Sequence, residues 1–322
     1  MKILITGCAG FIGSNYVRSV MANTDAEVTV FDALTYAGVR ESLAEFEDDS
    51  RFTFIQGDIC SRDDVGAAMP GHTHVVHFAA ESHVDRSIMG PDAFISTNVS
   101  GTNVMCDIAR MNEVERFLHI STDEVYGSIE EGSFVESDGL EPRSPYSASK
   151  ASSDLVALAY RETYGLPVMV TRSANQFGPY QFPEKVIPLF VTNLIDGIKV
   201  PLYGDGLNIR DWTFVEDNCR AVQMVLEQGE VGEIYNIGAG NELTNRELTE
   251  QILARVGVGE EMIEYVEDRL GHDRRYSIDS SKLRAMGWAP QTDLESALNI
   301  TVDWYKNHRE WWEPLKSKVA NR

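Results

Sequence analysis

The sequence predicts an α/β fold, a doubly wound parallel sheet of Rossmann type with a smaller mixed α/β lobe in the C-terminal part. Three observations predict it. Short β-rich runs alternate with segments of helical period through the first half of the chain. The first strand-to-helix turn carries Gly7, Gly10 and Gly13 at regular spacing. A buried-strand pattern at 118–121, LHIS, passes directly into Thr122, Asp123 and Glu124, and the carboxyl ends of such strands are where open α/β sheets hold their ligands.

Lys2 to Thr6 is β-rich and leads through the glycines into an apolar-periodic helix over 11–21. Strand, glycine turn and helix in that order form a dinucleotide-binding context. The glycines let backbone approach a pyrophosphate, and the helix N-terminus faces it with free amides. A second strand over 27–31 ends in Asp32, about twenty residues beyond the glycines, where a carboxylate bonds ribose hydroxyls and repels a 2′-phosphate. That favours NAD over NADP. A third strand, 51–56, runs into Gly57-Asp58-Ile59, a polar edge suited to adenine. A fourth, 74–78, meets Ala79-Ala80, small residues that leave room for a cofactor. The polar loop Glu81-Ser82-His83-Val84-Asp85-Arg86 follows, with Ser82 available to a substrate. A helix is expected over 92–111, with Thr97 and Asn98 in its early turns.

Tyr146 and Lys150 stand four apart in a helix-period segment, so phenol and ammonium share one helix face. If that helix packs beside the 118–122 strand, Thr122, Asp123, Glu124, Tyr146 and Lys150 converge on one pocket able to move protons. Taken singly, each of these residues reads more readily as a surface polar group; together, behind the glycine turn, they point to an active site.

Composition narrows the classes. The chain has 322 residues, enough for one large or two moderate domains, and a formal net charge of −22. That excess of acid argues against nucleic acid or an anionic membrane as partner. An anionic substrate then needs locally placed cations. The four cysteines, Cys8, Cys60, Cys106 and Cys219, are widely spread without metal-ligand spacing and are expected to be reduced packing residues. No run approaches the ~20 apolar residues of a membrane span. A soluble, cytoplasmic protein without a metal is expected.

Gly7-x-x-Gly10-x-x-Gly13 with Tyr146-x-x-x-Lys150 resembles the extended short-chain dehydrogenase/reductase family. ESHVDRS at 81–87, STDEVYG at 121–127, GPYQFPEK at 178–185 and GHDRRY at 271–276 resemble its sugar-nucleotide 4,6-dehydratase branch. The resemblance covers nearly the whole chain. The Asp123-Glu124 pair is its most specific part, because the related epimerases usually lack it. It implies a Rossmann domain over 1–175, with later segments returning to it, and a mainly sugar-nucleotide-binding lobe over 176–322. The cofactor NAD would then be held by Gly7, Gly10, Phe11, Ile12, Gly13, Asp32, Leu34, Thr35, Asp58, Ile59, Ala79, Ala80, Ser82, Thr97, Tyr146, Lys150 and Gln176. Substrate would meet Ser82, Thr122, Asn175, Lys185, Arg210, Asn245, Arg269 and His272. The family usually has two adjacent asparagines after the strand over 167–172; here they are Asn175 and Gln176.

The substrate implied is dTDP-glucose, oxidised at carbon 4, dehydrated across carbons 5 and 6 and reduced at carbon 6. Tyr146, its pKa lowered by Lys150, would act on the 4-hydroxyl, with Thr122 polarising the 4-oxygen. Glu124 would remove the carbon 5 proton, and protonated Asp123 would serve the leaving 6-hydroxyl. A homodimer through the helices after Asp92 and Pro145 is implied as well. The alternatives at this stage are a UDP-glucose or GDP-mannose dehydratase, a UDP-sugar epimerase or decarboxylase, and a non-catalytic NAD-binding regulator. The C-terminal stretch 297–311 is amphipathic and, with Trp304, Trp311 and Trp312, reads as packing.

Overall fold

The structure, a computed structural model, describes residues 1–268 and 271–320. Its centre is a seven-stranded, wholly parallel sheet formed by β1 (Lys2–Thr6), β2 (Glu27–Asp32), β3 (Phe52–Gln56), β4 (His74–His77), β5 (Arg116–Thr122), β6 (Val168–Ser173) and, later in the chain, β10 (Ile234–Ile237). The spatial order is β10-β6-β5-β4-β1-β2-β3. The chain builds outward from β1 to β3 and then crosses back to β4. That reversal opens a crevice between β1 and β4 at the carboxyl edge.

The strands are apolar on both faces because helices cover both. Ile3 and Ile5 join the core under the helices Phe11–Asn23 and Val215–Gln228. Leu4, between them, faces the opposite core with residues of the helices Thr102–Met111 and Pro145–Tyr164. This is the two-residue alternation of a strand read directly from the burial.

The remaining strands are β7 (Asn175–Phe177), β8 (Val200–Tyr203), β9 (Ile209–Phe214), β11 (Glu242–Thr244) and β12 (Ile263–Val266). They make a three-stranded sheet, β11-β9-β7, and a two-stranded one, β12-β8. With the helices Val186–Ile195, Asn245–Val256 and Leu294–Asn307 they enclose a separate core around Phe177, Trp212, Leu248 and Trp312. Trp304 and Trp311 pack on Tyr180, with ring centroids 4.6 and 5.7 Å away.

The helix expected over 92–111 is not uniform. It runs Asp92–Phe94, widens into a π-helical stretch at Ile95–Gly101 and continues as Thr102–Met111. Buried Asn98 lies in the widened stretch; its side chain accepts from Glu81 N–H at 2.8 Å and donates to Glu81 O at 3.0 Å and to Ser149 Oγ at 2.8 Å. Gly101, at the end of the stretch, leaves room for the Ile59 side chain, since a Cβ there would lie 2.6 Å from Ile59 Cδ1. Periodicity alone carries no sign of such a bulge, which recurs at functional sites.

Among the described residues no helix is long and apolar enough to cross a membrane. The four cysteines are free.

Candidate active site

The site begins where β5 stops. Thr122 ends the strand, and its side chain accepts from Glu124 N–H at 3.3 Å, capping the 3-10 turn Asp123–Tyr126. The cap turns Asp123 inward, where it is 3% exposed, and leaves Glu124 half-buried. The Pro145–Tyr164 helix is set by a capping box between Ser144 and Ser147 with proline in its first turn, each feature favouring a helix start at that point. It packs on β5 and buries Tyr146 and Lys150, 9% and 5% exposed. Lys150 Nζ donates to Ile120 O at 2.7 Å, close to the end of the strand.

The polar groups are coupled. The Thr122 hydroxyl donates to Asp123 Oδ1 at 3.2 Å and shares a hydrogen bond with the Tyr146 phenol. Asp123 Oδ2 is buried with no hydrogen-bond partner among the described residues. Burial, reinforced by the Glu124 charge, pushes the Asp123 carboxyl up to about 8. A carboxyl so placed is a proton donor at neutral pH. Burial also pushes the Lys150 ammonium down to about 8. The Tyr146 phenol is raised rather than lowered: burial acts first and the Glu124 charge second. This differs from the lowering expected from Lys150, because burial opposes the phenolate, and the ammonium is directed at the Ile120 carbonyl.

One cleft joins these residues to the glycine turn. It is lined by Gly7, Gly10, Phe11, Ile12, Gly13, Asp32, Thr35, Asp58, Ile59, Ala79, Ala80, Ser82 and Thr97, by Thr122, Asp123, Glu124, Tyr146 and Lys150, and by Asn175, Gln176 and Lys185. Gly7 adopts φ +74°, and a Cβ on it would lie 2.6 Å from Ala79 N. Gly10 starts the Phe11–Asn23 helix without a side-chain cap, so the helix N-terminus is available to an anion. Asp32 sits across from it, accepting from Ala9 N–H and Leu34 N–H at 2.8 Å each. Two amides leave lone pairs over for ribose hydroxyls. Asn175 Oδ1 and Gln176 Oε1 are buried without hydrogen-bond partners among the described residues. A glycine cradle, an uncapped helix end, an acidic residue after β2 and orphaned amide oxygens together fit a dinucleotide.

The predicted residues divide by position. Leu34 does not line the cleft; it sits beside it at φ 53°, bonded to Asp32. Lys185 Nζ donates to Ser82 O at 2.9 Å. Arg210 is buried, donates to Asp273 O at 2.8 Å and stacks 4.1 Å above the Tyr276 ring. It also bears on Asp123 as an opposing positive charge. Asn245 opens the Asn245–Val256 helix, its N–H donating to Asn208 O at 2.9 Å. His272 Nδ1 is 2.6 Å from Asp268 Oδ1. Arg269 lies outside the described residues. Sequence reasoning missed Tyr276, which lies within the field of Glu124 and whose hydroxyl donates to Asp273 Oδ2 at 2.7 Å. It missed Glu184 too, a buried carboxylate on the cleft wall. Both belong to the quoted motif segments, but a single tyrosine or glutamate there carries no chemical spacing signal. Among the described residues no group of three or more His, Cys, Asp or Glu is placed to hold a metal ion.

A parallel sheet with a glycine turn at β1 and a Tyr-x-x-x-Lys face against β5 defines a dehydrogenase-type nucleotide site. A family model described as GDP-mannose 4,6 dehydratase matches residues 4–301. A dTDP-glucose 4,6-dehydratase of Streptomyces antibioticus is 53% identical over 327 residues, covering 99% of this chain and 97% of that protein. The solved dTDP-glucose 4,6-dehydratase of Streptomyces venezuelae, with NAD and dTDP bound, superposes with a TM-score of 0.96 at 53% identity, covering 98% of this chain and 100% of that one. The UDP-glucose 4-epimerase of Thermus thermophilus, solved with NAD, superposes with a TM-score of 0.89 at 31% identity, covering 96% of this chain and 100% of that one. The chain belongs to the nucleotide-sugar 4,6-dehydratase family, within the extended short-chain dehydrogenases/reductases.

Proposed function

We propose that this protein is an NAD-dependent hydro-lyase that converts dTDP-glucose to dTDP-4-keto-6-deoxyglucose. The observation that carries the reading is Asp123, a buried carboxyl pushed up to about 8, with one oxygen left without a partner among the described residues. An epimerase has no leaving hydroxyl and needs no such acid. Supporting it are the likeness to dTDP-glucose 4,6-dehydratases over the whole chain and the dinucleotide features of the cleft.

When bound, NAD supplies a hydride acceptor for carbon 4 and a hydride donor for carbon 6. Gly7, Gly10 and Gly13 with the helix N-terminus would hold its pyrophosphate, Asp32 its ribose, and Gln176 its nicotinamide side. The chain's own residues move the protons. As the phenolate, Tyr146 takes the 4-hydroxyl proton; since burial raises this phenol, its ionisation would depend on the positive nicotinamide ring beside it and on the Lys150 charge one helical turn away. Thr122 orients the 4-oxygen, being hydrogen-bonded to both the phenol and Asp123. A ketone at carbon 4 acidifies carbon 5, whose proton Glu124 removes. Asp123 passes its proton to the departing 6-hydroxyl, water leaves, and the protonated Glu124, whose proton exchanges with water, protonates carbon 5 as carbon 6 is reduced. Asn175, Lys185, Arg210, Asn245, Arg269 and His272 would hold the sugar nucleotide, with guanidinium groups suited to phosphate oxygens.

We place the enzyme in the cytoplasm as a homodimer. Met111, Leu155 and Tyr164, 62%, 60% and 56% exposed on the Thr102–Met111 and Pro145–Tyr164 helices, support an apolar contact there. Sedimentation of the purified protein as a monomer would remove the dimer. The function is tested by offering dTDP-, UDP- and GDP-hexoses separately and following the loss of one water by mass spectrometry. Turnover of dTDP-glucose is expected to exceed the others; water loss from UDP- or GDP-hexose alone would reassign the substrate.

A further inference from the structure

Segments from three places in the chain meet over the cleft, and one carboxylate joins them. The Glu184 side chain is 5% exposed, a burial that a carboxylate tolerates only with partners. Its Oε1 accepts from the Tyr36 phenol at 2.9 Å. Its Oε2 lies 3.4 Å from Arg86 Nη2 and 3.8 Å from His83 Nε2. The Arg86 guanidinium also stacks 3.6 Å above the Tyr36 ring, and Phe182 meets that ring edge-on at 5.8 Å. Tyr36 belongs to the segment after β2, Arg86 to the short helix Val84–Met89 that follows β4, and Glu184 to the segment before the Val186–Ile195 helix.

These contacts join two segments that line the cleft: Thr35, Ala37 and Gly38 belong to the one after β2, and Gln181, Phe182 and Glu184 to the one before the Val186–Ile195 helix. The β2 segment is held in an unfavourable conformation, with Leu34 at φ 53°. Such a residue persists only where its surroundings fix it. Val39 N–H donates to Ala9 O at 2.8 Å, tying the same segment to the glycine turn. Opening either wall therefore means breaking the carboxylate's bonds to the other.

We propose that Tyr36, Arg86 and Glu184 form a strap across the cleft that retains NAD through turnover, with Tyr36 as the positioning residue that joins the cofactor wall to the substrate segment. The proposal rests on the NAD-dependent reading above. It explains how one cofactor can serve both an oxidation and a later reduction at the same site: release requires the strap to part.

The test loads the full chain with radiolabelled NAD, removes the excess and chases with unlabelled NAD. Tyr36→Phe keeps the ring and loses only the hydroxyl, and should release label at least ~10-fold faster, the loss expected for a hydrogen bond to a buried charge. Tyr36→Ala, which also removes the platform under Arg86, should release it faster still. Glu184→Ala, which leaves the Tyr36 phenol without its acceptor, should accelerate release as well, and adding Tyr36→Phe to it should change little, because the bond between them is already gone. Release from Tyr36→Phe at the wild-type rate, with full loading, would overturn the strap and leave the NAD reading standing. A wild-type protein that takes up no NAD would overturn both.

Discussion

Asp123 and Glu124 are adjacent in the chain and differ in environment: the 3-10 turn buries one carboxyl and leaves the other half-buried. Two neighbouring acids resist double ionisation, and burial decides which keeps its proton. The acid role requires protonated Asp123, so kcat/KM should fall as pH rises through the Asp123 value of about 8. Loss of the Lys150 charge, also about 8, acts in the same direction. A profile flat to pH ~10 would contradict both assignments. Tyr146→Phe should lower turnover at least ~10²-fold, the lower end for a general base, with NAD binding retained in a direct titration. Glu124→Gln should separate oxidation from elimination. Rapid-quench analysis is expected to find a 4-keto sugar that still carries its 6-hydroxyl; full-speed dehydration without that species would remove Glu124 as the carbon 5 base.

At the scale of elements, the site depends on one strand end and one helix start. Ser144→Ala removes the side-chain half of the capping box and should cost about 1 kcal/mol of stability in urea denaturation, the usual worth of an N-cap. An unchanged midpoint would show that the helix is held by packing alone. This part of the site was legible in the sequence because its information is local. Apolar runs mark β1, β5 and β6, glycine spacing marks the turn, and an i,i+4 relation puts Tyr146 and Lys150 on one face. The π-helical stretch around Asn98 was not legible, since it arises from hydrogen bonds to Glu81 and Ser149. The stacking of Arg210 on Tyr276 and the Tyr36–Glu184 bond join residues far apart in sequence. No spacing rule reports such contacts. The direction of the Tyr146 shift escaped for a related reason: a pKa depends on burial, which the sequence shows only as a pattern.

For the whole molecule, the fold alone does not choose the reaction. An epimerase and a dehydratase superpose on this chain almost equally well, so the choice falls to a few side chains at the end of β5. The central claim is a closed redox cycle with elimination in the middle, and the fate of the hydrogens tests it most directly. Substrate carrying deuterium at carbon 4 is mixed with unlabelled substrate and converted, and a parallel reaction is run in heavy water. The account predicts that deuterium moves from carbon 4 to carbon 6 within the same molecule, and that one solvent deuterium enters at carbon 5. Label crossing between substrate molecules, or carbon 5 without solvent hydrogen, would contradict it.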